Sequence, residues 1–155
     1  MVTAANRGKE GEKLFHAALE RVNAKQHDFD YERIDDARSA SGHMSKPRTG
    51  DFIAFSKSYN WVIEVKQVQH EFRLPRANFP RDQRARMKKR ELSGGIPVLF
   101  IYFAPLLQWR MINPSAMGFE DTGSWDLSHL PLMDKLLPDL YERLIGMIPY
   151  ANRPA

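Results

Sequence analysis

The run Trp61-Val62-Ile63-Glu64-Val65-Lys66 does most to restrict how this chain folds. It is rich in aromatic and β-branched residues. A second such run, Phe52-Ile53-Ala54-Phe55, precedes it across the polar turn Ser56 to Asn60. Two short runs of this kind joined by a polar turn predict a β-hairpin. Side chains alternate along a strand, so Glu64 and Lys66 share a face with Val62. The nearly continuous apolar character predicts a strand covered on both sides. Charges on such a strand are costly unless a partner or a metal ion compensates them. Asp51 leads into the first run, so two carboxylates and one ammonium meet at one end of the hairpin. A divalent cation would balance the excess negative charge, and that grouping suits metal-dependent phosphodiester cleavage.

At 155 residues the chain reads as one domain. No run of eighteen apolar residues predicts a membrane span, and residues 1–7 lack the apolar segment of a signal peptide. The absence of cysteine excludes disulfides and thiolate metal sites. It fits a reducing cytoplasm, near the nucleoid or in a host cell if the protein is viral. A net charge of +4 and a pI of about 9.4 favour a polyanionic partner. The charge is unevenly spread. The segment Arg81-Asp82-Gln83-Arg84-Ala85-Arg86-Met87-Lys88-Lys89-Arg90 holds six cations against one acid, and Lys46 and Arg48 lie just before Asp51. Cations near a carboxylate cluster suit a phosphate backbone guided toward a metal. Taken alone, such a run is more often a solvated helix face.

Leu14, Phe15, Ala18, Leu19 and Val22 form one apolar stripe and predict a helix over Lys9 to Lys25. Glu12 falls near its start, where an acid also complements the helix dipole. Phe29 to Ile34 alternates weakly, as a first, edge strand would. Residues Asp35 to Thr49 read as a long loop, of a length that is often functional. Within it, residues 39–49 are expected to form a flexible, DNA-contacting arm. Gln67 to Asn78 is polar and broken by Pro75. A helix is predicted from about Arg81 to Leu92, stopped by Gly94-Gly95. Ile96 to Phe103 predicts a buried strand with Pro97 near its beginning, and Gln108 to Ile112 a partner strand. Leu132, Leu136, Leu137, Leu140, Leu144 and Ile145 predict a C-terminal helix within Leu130 to Ile148, kinked or restarted at Pro138. The order is that of an α/β fold with a central mixed sheet flanked by helices.

Asp51, then Glu64-Val65-Lys66, resembles the signature of the PD-(D/E)XK nucleases. Asn6-Arg7-Gly8 followed by Glu12, then Phe79-Pro80, Gln83 and Gly94-Gly95-Ile96, resembles the RecU family of Holliday junction resolvases, in the same order. The resemblance spans roughly residues 6 to 112. Gly50 stands where that family has Thr, Asp82 stands where it has His, and its long stalk is reduced here to Ser39 to Thr49. Residues after Ile112 carry no match. The resemblance implies a restriction-endonuclease-like core (αβββαβ, with a C-terminal helix), a homodimer, and metal-dependent cleavage of four-way DNA junctions.

The charges define the expected roles. Asp51 and Glu64 would bind Mg²⁺ or Mn²⁺ with the Val65 carbonyl and waters. Glu12 would be a further ligand or hold a water. Lys66 would orient the attacking water or stabilise charge developing on phosphorus. Gln83 would hydrogen-bond water or phosphate, with Gln67 competing for that role. Arg7, Lys46, Arg48, Arg81, Arg84, Arg86, Lys88, Lys89 and Arg90 would contact DNA. The five histidines show no metal-ligand spacing, although His43 is a candidate for touching DNA. Two alternatives stand beside this reading. One is a nuclease of the same superfamily with another specificity, for duplex or other branched DNA. The other is a non-catalytic DNA-binding module.

Overall fold

The computed structural model describes residues 4–34, 51–118 and 122–149. Helix α1 spans Ala4–Lys25 and begins earlier than predicted. Its buried Phe15, Ala18, Leu19 and Val22 belong to the predicted stripe, whose Leu14 is only partly buried. Strands β1 (Phe29–Arg33), β2 (Phe52–Ser56) and β3 (Tyr59–Val68) follow as an antiparallel meander, with β1 at the sheet edge. Lys57 and Ser58 turn the β2–β3 hairpin with φ of 51° and 73°. Positive φ at both central residues gives a two-residue turn whose twist matches that of the strands.

Strand β4 (Arg73–Pro75) and a 3₁₀ turn lead into helix α2 (Arg81–Leu92) and strands β5 (Ile96–Phe103) and β6 (Gln108–Ile112). The remaining elements are β7 (Ser124–Asp126), β8 (Met133–Asp134) and helix α3 (Leu140–Gly146). The main sheet has the order β1-β2-β3-β5-β6-β8, and β4 pairs separately with β7. Among the described residues, only β3 and β5 pair in parallel in this sheet. Parallel neighbours need a crossover rather than a tight hairpin, and α2 supplies it.

The sheet has an apolar layer on each face. Trp61 and Ile63 of β3 and Phe100 and Tyr102 of β5 pack with Phe15 and Leu19 of α1. Leu99, Ile101 and Phe103 pack with Phe79 and with Met87 of α2. Every residue of β5 is buried, as a central strand between helical layers requires. Pro97 is tolerated because pairing with β6 begins only at Leu99.

The C-terminal segment departs from expectation. A helix forms only at Leu140–Gly146, not through most of Leu130 to Ile148. Met133 and Asp134 instead extend the sheet beside β6. Leu137 adopts φ of 50° immediately before Pro138. Proline disfavours helical geometry in the residue before it, so the helix starts afterwards. Leu137, Leu140 and Leu144 are buried as expected, whereas Leu132 and Leu136 are exposed. The polar stretch after β3 also holds more order than expected, in β4 and its partner β7.

Candidate active site

The hairpin places Asp51 against Glu64. The Asp51 N–H donates to the Ile63 carbonyl at 2.7 Å, and Asp51 Oδ2 accepts from the Val65 N–H at 2.7 Å. One step beyond the Phe52–Ile63 pair, the antiparallel register sets Asp51 opposite Glu64. Both carboxylates are buried, at 6% and 7% exposure. Glu64 pairs in register with Leu99 and Lys66 with Ile101, which places both side chains on the α2 face.

Lys66 Nζ lies 3.2 Å from Glu64 Oε1 and donates to Gln83 Oε1 at 3.0 Å. It also stands 5.9 Å from the Phe79 ring centroid, within reach of a cation–π attraction. Pro80 starts α2 in extended geometry, and the first helical turn then carries Gln83 toward the strand. The two glutamines lie on opposite sides of the sheet. Gln67 lies on the opposite face, where its Oε1 accepts from the Gly11 N–H at 2.7 Å.

Glu12 is not drawn into this group. Its Oε1 accepts from Arg33 at 2.7 Å. Arg33 pairs in register with Phe52 and therefore shares the α1 face. Glu12 nevertheless lies at the same end of the sheet, since Gly11 touches Gln67, one residue past Lys66. Among the described residues, no three Asp, Glu, His or Cys side chains lie close enough to hold a metal ion. Two carboxylates on one face still suit Mg²⁺, which is held by one or two carboxylates with waters and substrate oxygens rather than by an all-protein cage. Asp51 is suited to that part because the Val65 N–H already fixes the direction of its carboxylate.

The basic residues of α2 are not alike. Arg84 donates through Nε to the Phe79 carbonyl at 3.1 Å and lies 5.3 Å from the Trp125 ring. Arg86 pairs with Asp82 at 3.2 Å, and Lys88 with Glu91 at 2.8 Å. Arg81, Lys89 and Arg90 are exposed on the same helix. The Arg7 side chain, Lys46, Arg48, His43 and the expected arm at 39–49 lie outside the described residues. Sequence reasoning missed Arg33 as the partner of Glu12, for which the weak alternation of β1 gave no signal. It also passed over Phe79 as part of the Lys66 setting, although Phe79-Pro80 was a visible landmark.

No family model matches the chain, and no curated protein matches it. Among solved structures it is similar to Hjc, a Holliday junction resolvase from the archaeal hyperthermophile Archaeoglobus fulgidus. The TM-score is 0.57 at 18% identity, over 81% of this chain and 97% of that one. The shared fold is the restriction-endonuclease-like core, a mixed sheet with helices on both faces. Among the described residues no helix is long and apolar enough to cross a membrane.

Proposed function

We propose that this chain is a Mg²⁺- or Mn²⁺-dependent endodeoxyribonuclease that nicks four-way DNA junctions in recombination or repair. The observation that best supports this reading is the meeting of Asp51, Glu64, Lys66 and Gln83 on the α2 face of the hairpin. Likeness in fold to a protein described as a Holliday junction resolvase supports branched DNA as the substrate. A homodimer follows from the substrate, because paired nicks in a two-fold symmetric junction need two symmetric sites.

Asp51 and Glu64 would hold the cation, with the Val65 carbonyl beside them. The cation would supply Lewis acidity at the scissile phosphate and lower the pKa of water there. Lys66, braced between Glu64 and Gln83, presents a fixed positive charge where charge develops on the phosphoryl oxygens. Gln83 holds Lys66 through its oxygen and offers its amide nitrogen to water or phosphate. Glu12 would orient water from the α1 side. Arg81, Lys89 and Arg90, with Arg7, Lys46 and Arg48, would carry phosphate contacts. Arg86 and Lys88 would add to that field from their ion pairs, and Arg84 from its docked position.

Cleavage of a four-way junction and of the matching linear duplex, with and without Mg²⁺, tests the reading on a denaturing gel. Asp51→Asn and Lys66→Ala are each expected to slow cutting by about a hundredfold or more while leaving junction binding in EDTA largely intact. Wild-type cutting by either variant overturns the proposal. Equal rates on junction and duplex overturn the junction selectivity and leave a duplex-cutting nuclease.

A further inference from the structure

Helix α2 turns a second face to a cleft. Gln83 and Met87 point to the sheet, whereas Arg81, Arg84, Ala85 and Lys88 recur at helical spacing along one wall of this cleft of about 510 Å³. The opposite wall includes Pro97 and Met117. Arg84 is held in place by the carbonyls of Phe79 and Gly118, at 3.1 and 3.4 Å, and lies against Trp125. Glu91 ties α2 to the far wall. It accepts from Lys88 and from Ser115 Oγ, each at 2.8 Å, and from Asn113 at 3.4 Å.

The cleft is therefore an apolar slot with two guanidiniums and an ammonium along one wall. Its size falls in the range of small-molecule sites, about 300–1,000 Å³. A flat apolar body joined to phosphates matches that lining, and a nucleotide has this form. A peptide adding as a strand fits poorly, because Pro97 and Pro114 offer no N–H to pair with.

We propose that this cleft takes one unstacked nucleobase of a DNA strand, with a flanking phosphate on Arg81. The inference rests on the DNA-cleaving reading above and adds a base contact to it. Helix α2 would then serve the scissile phosphate through Gln83 and an unpaired nucleotide through its outer face.

The test is fluorescence anisotropy of the full chain in EDTA, which prevents cutting. A labelled short oligothymidylate is compared with an abasic oligomer of the same length. The oligothymidylate is expected to bind about tenfold more tightly, the scale of removing about 60 Å² of apolar surface from water. Ala85→Leu keeps helix propensity and fills the slot. It is expected to erase that difference while leaving abasic binding unchanged, and its thermal melt verifies folding. Equal binding of the two oligomers by the wild-type chain overturns the inference, as does a base preference that survives in a folded Ala85→Leu. Junction cutting without base preference sinks the slot alone. Base preference without Mg²⁺-dependent cutting sinks the nuclease reading alone.

Discussion

Lys66 Nζ donates to Gln83 Oε1 at 3.0 Å while standing 3.2 Å from Glu64 Oε1, so a single ammonium joins the carboxylate-bearing strand to the helix that covers it. The ammonium is held from two sides, and its four-carbon stem has little freedom left to lose in a reaction. Gln83→Leu preserves helix propensity and removes one of the two holds. It is expected to slow single-turnover junction cleavage by about 10- to 100-fold, with affinity in EDTA and thermal stability nearly unchanged. An unaltered rate would show that Glu64 alone positions the amine.

Glu12 and Arg33 form a half-exposed ion pair at the same end of the sheet as Asp51. Pairs of this kind contribute roughly 0–1 kcal/mol, so neither partner should matter much for folding. Glu12→Gln is expected to reduce cleavage by about tenfold or more, as loss of a water-orienting carboxylate does. Arg33→Met is expected to change the rate little. Equal, small effects from both substitutions, measured in one cleavage assay with parallel melts, would make the pair purely structural.

Gly11 is where α1 comes closest to the sheet. A Cβ there would stand 3.1 Å from Tyr102 Cβ and 3.3 Å from Gln67 Oε1. Alanine is ordinarily the better helix residue by about 1 kcal/mol. Tyr102 Cβ, however, is anchored to the backbone of the fully buried β5 and cannot give way. Gly11→Ala is therefore expected to destabilise, by about 1–2 kcal/mol as overpacking does. Urea unfolding measures it, and a gain in stability would show that α1 shifts freely.

Arg110 is buried at 6% exposure in β6. It donates to the carbonyls of Leu130 and Glu71, at 3.1 and 2.6 Å, and lies 4.7 Å from the Phe103 ring. Burial pulls its pKa below the ordinary arginine value, against the opposing influence of Asp126. The side chain binds the β3–β4 turn and the segment before β8 to the sheet. Arg110→Met keeps the apolar stem and leaves both carbonyls without this donor. The expected loss is about 2–4 kcal/mol, read from the urea midpoint.

Burial acts to raise the Glu91 carboxyl pKa, but hydrogen bonds from Lys88, Ser115 and Asn113 outweigh it and hold the pKa below the ordinary value. A folded-state pKa lowered in this way adds stability above the unfolded pKa, and that stability is lost as pH falls through the folded value. Glu91→Gln is therefore expected to be less stable than wild type at neutral pH by about 1 kcal/mol. The two should converge as pH drops below about 4.3. Melts of both proteins across acid pH check this, and a gap that persists at low pH would contradict it.

Local pattern alone made much of the fold legible. The β2–β3 hairpin and strands β5 and β6 follow from short runs rich in apolar, aromatic and β-branched residues, α1 from period-3.6 spacing, and the limits of α2 from Pro80 and Gly94-Gly95 as boundaries. Period 2 also put Glu64 and Lys66 on one face, because neighbours along a strand settle that without tertiary help. Partner choice was out of reach, since it depends on which surfaces packing brings together. The same alternation left Gln67 and Gln83 as rivals until α1 claimed Gln67 and α2 delivered Gln83 to Lys66. It allowed Glu12 to be pictured beside Asp51, whereas the α1 layer delivered it to Arg33. The leucine spacing after Leu130 promised a long helix, yet Pro138 and the open edge of β6 drew that segment into β8 instead. Chain-local sterics and periodicity thus determined the elements and the facing of their charges. Only the stacking of helices on the two faces of the sheet decided which side chains meet, because those contacts join residues far apart in sequence.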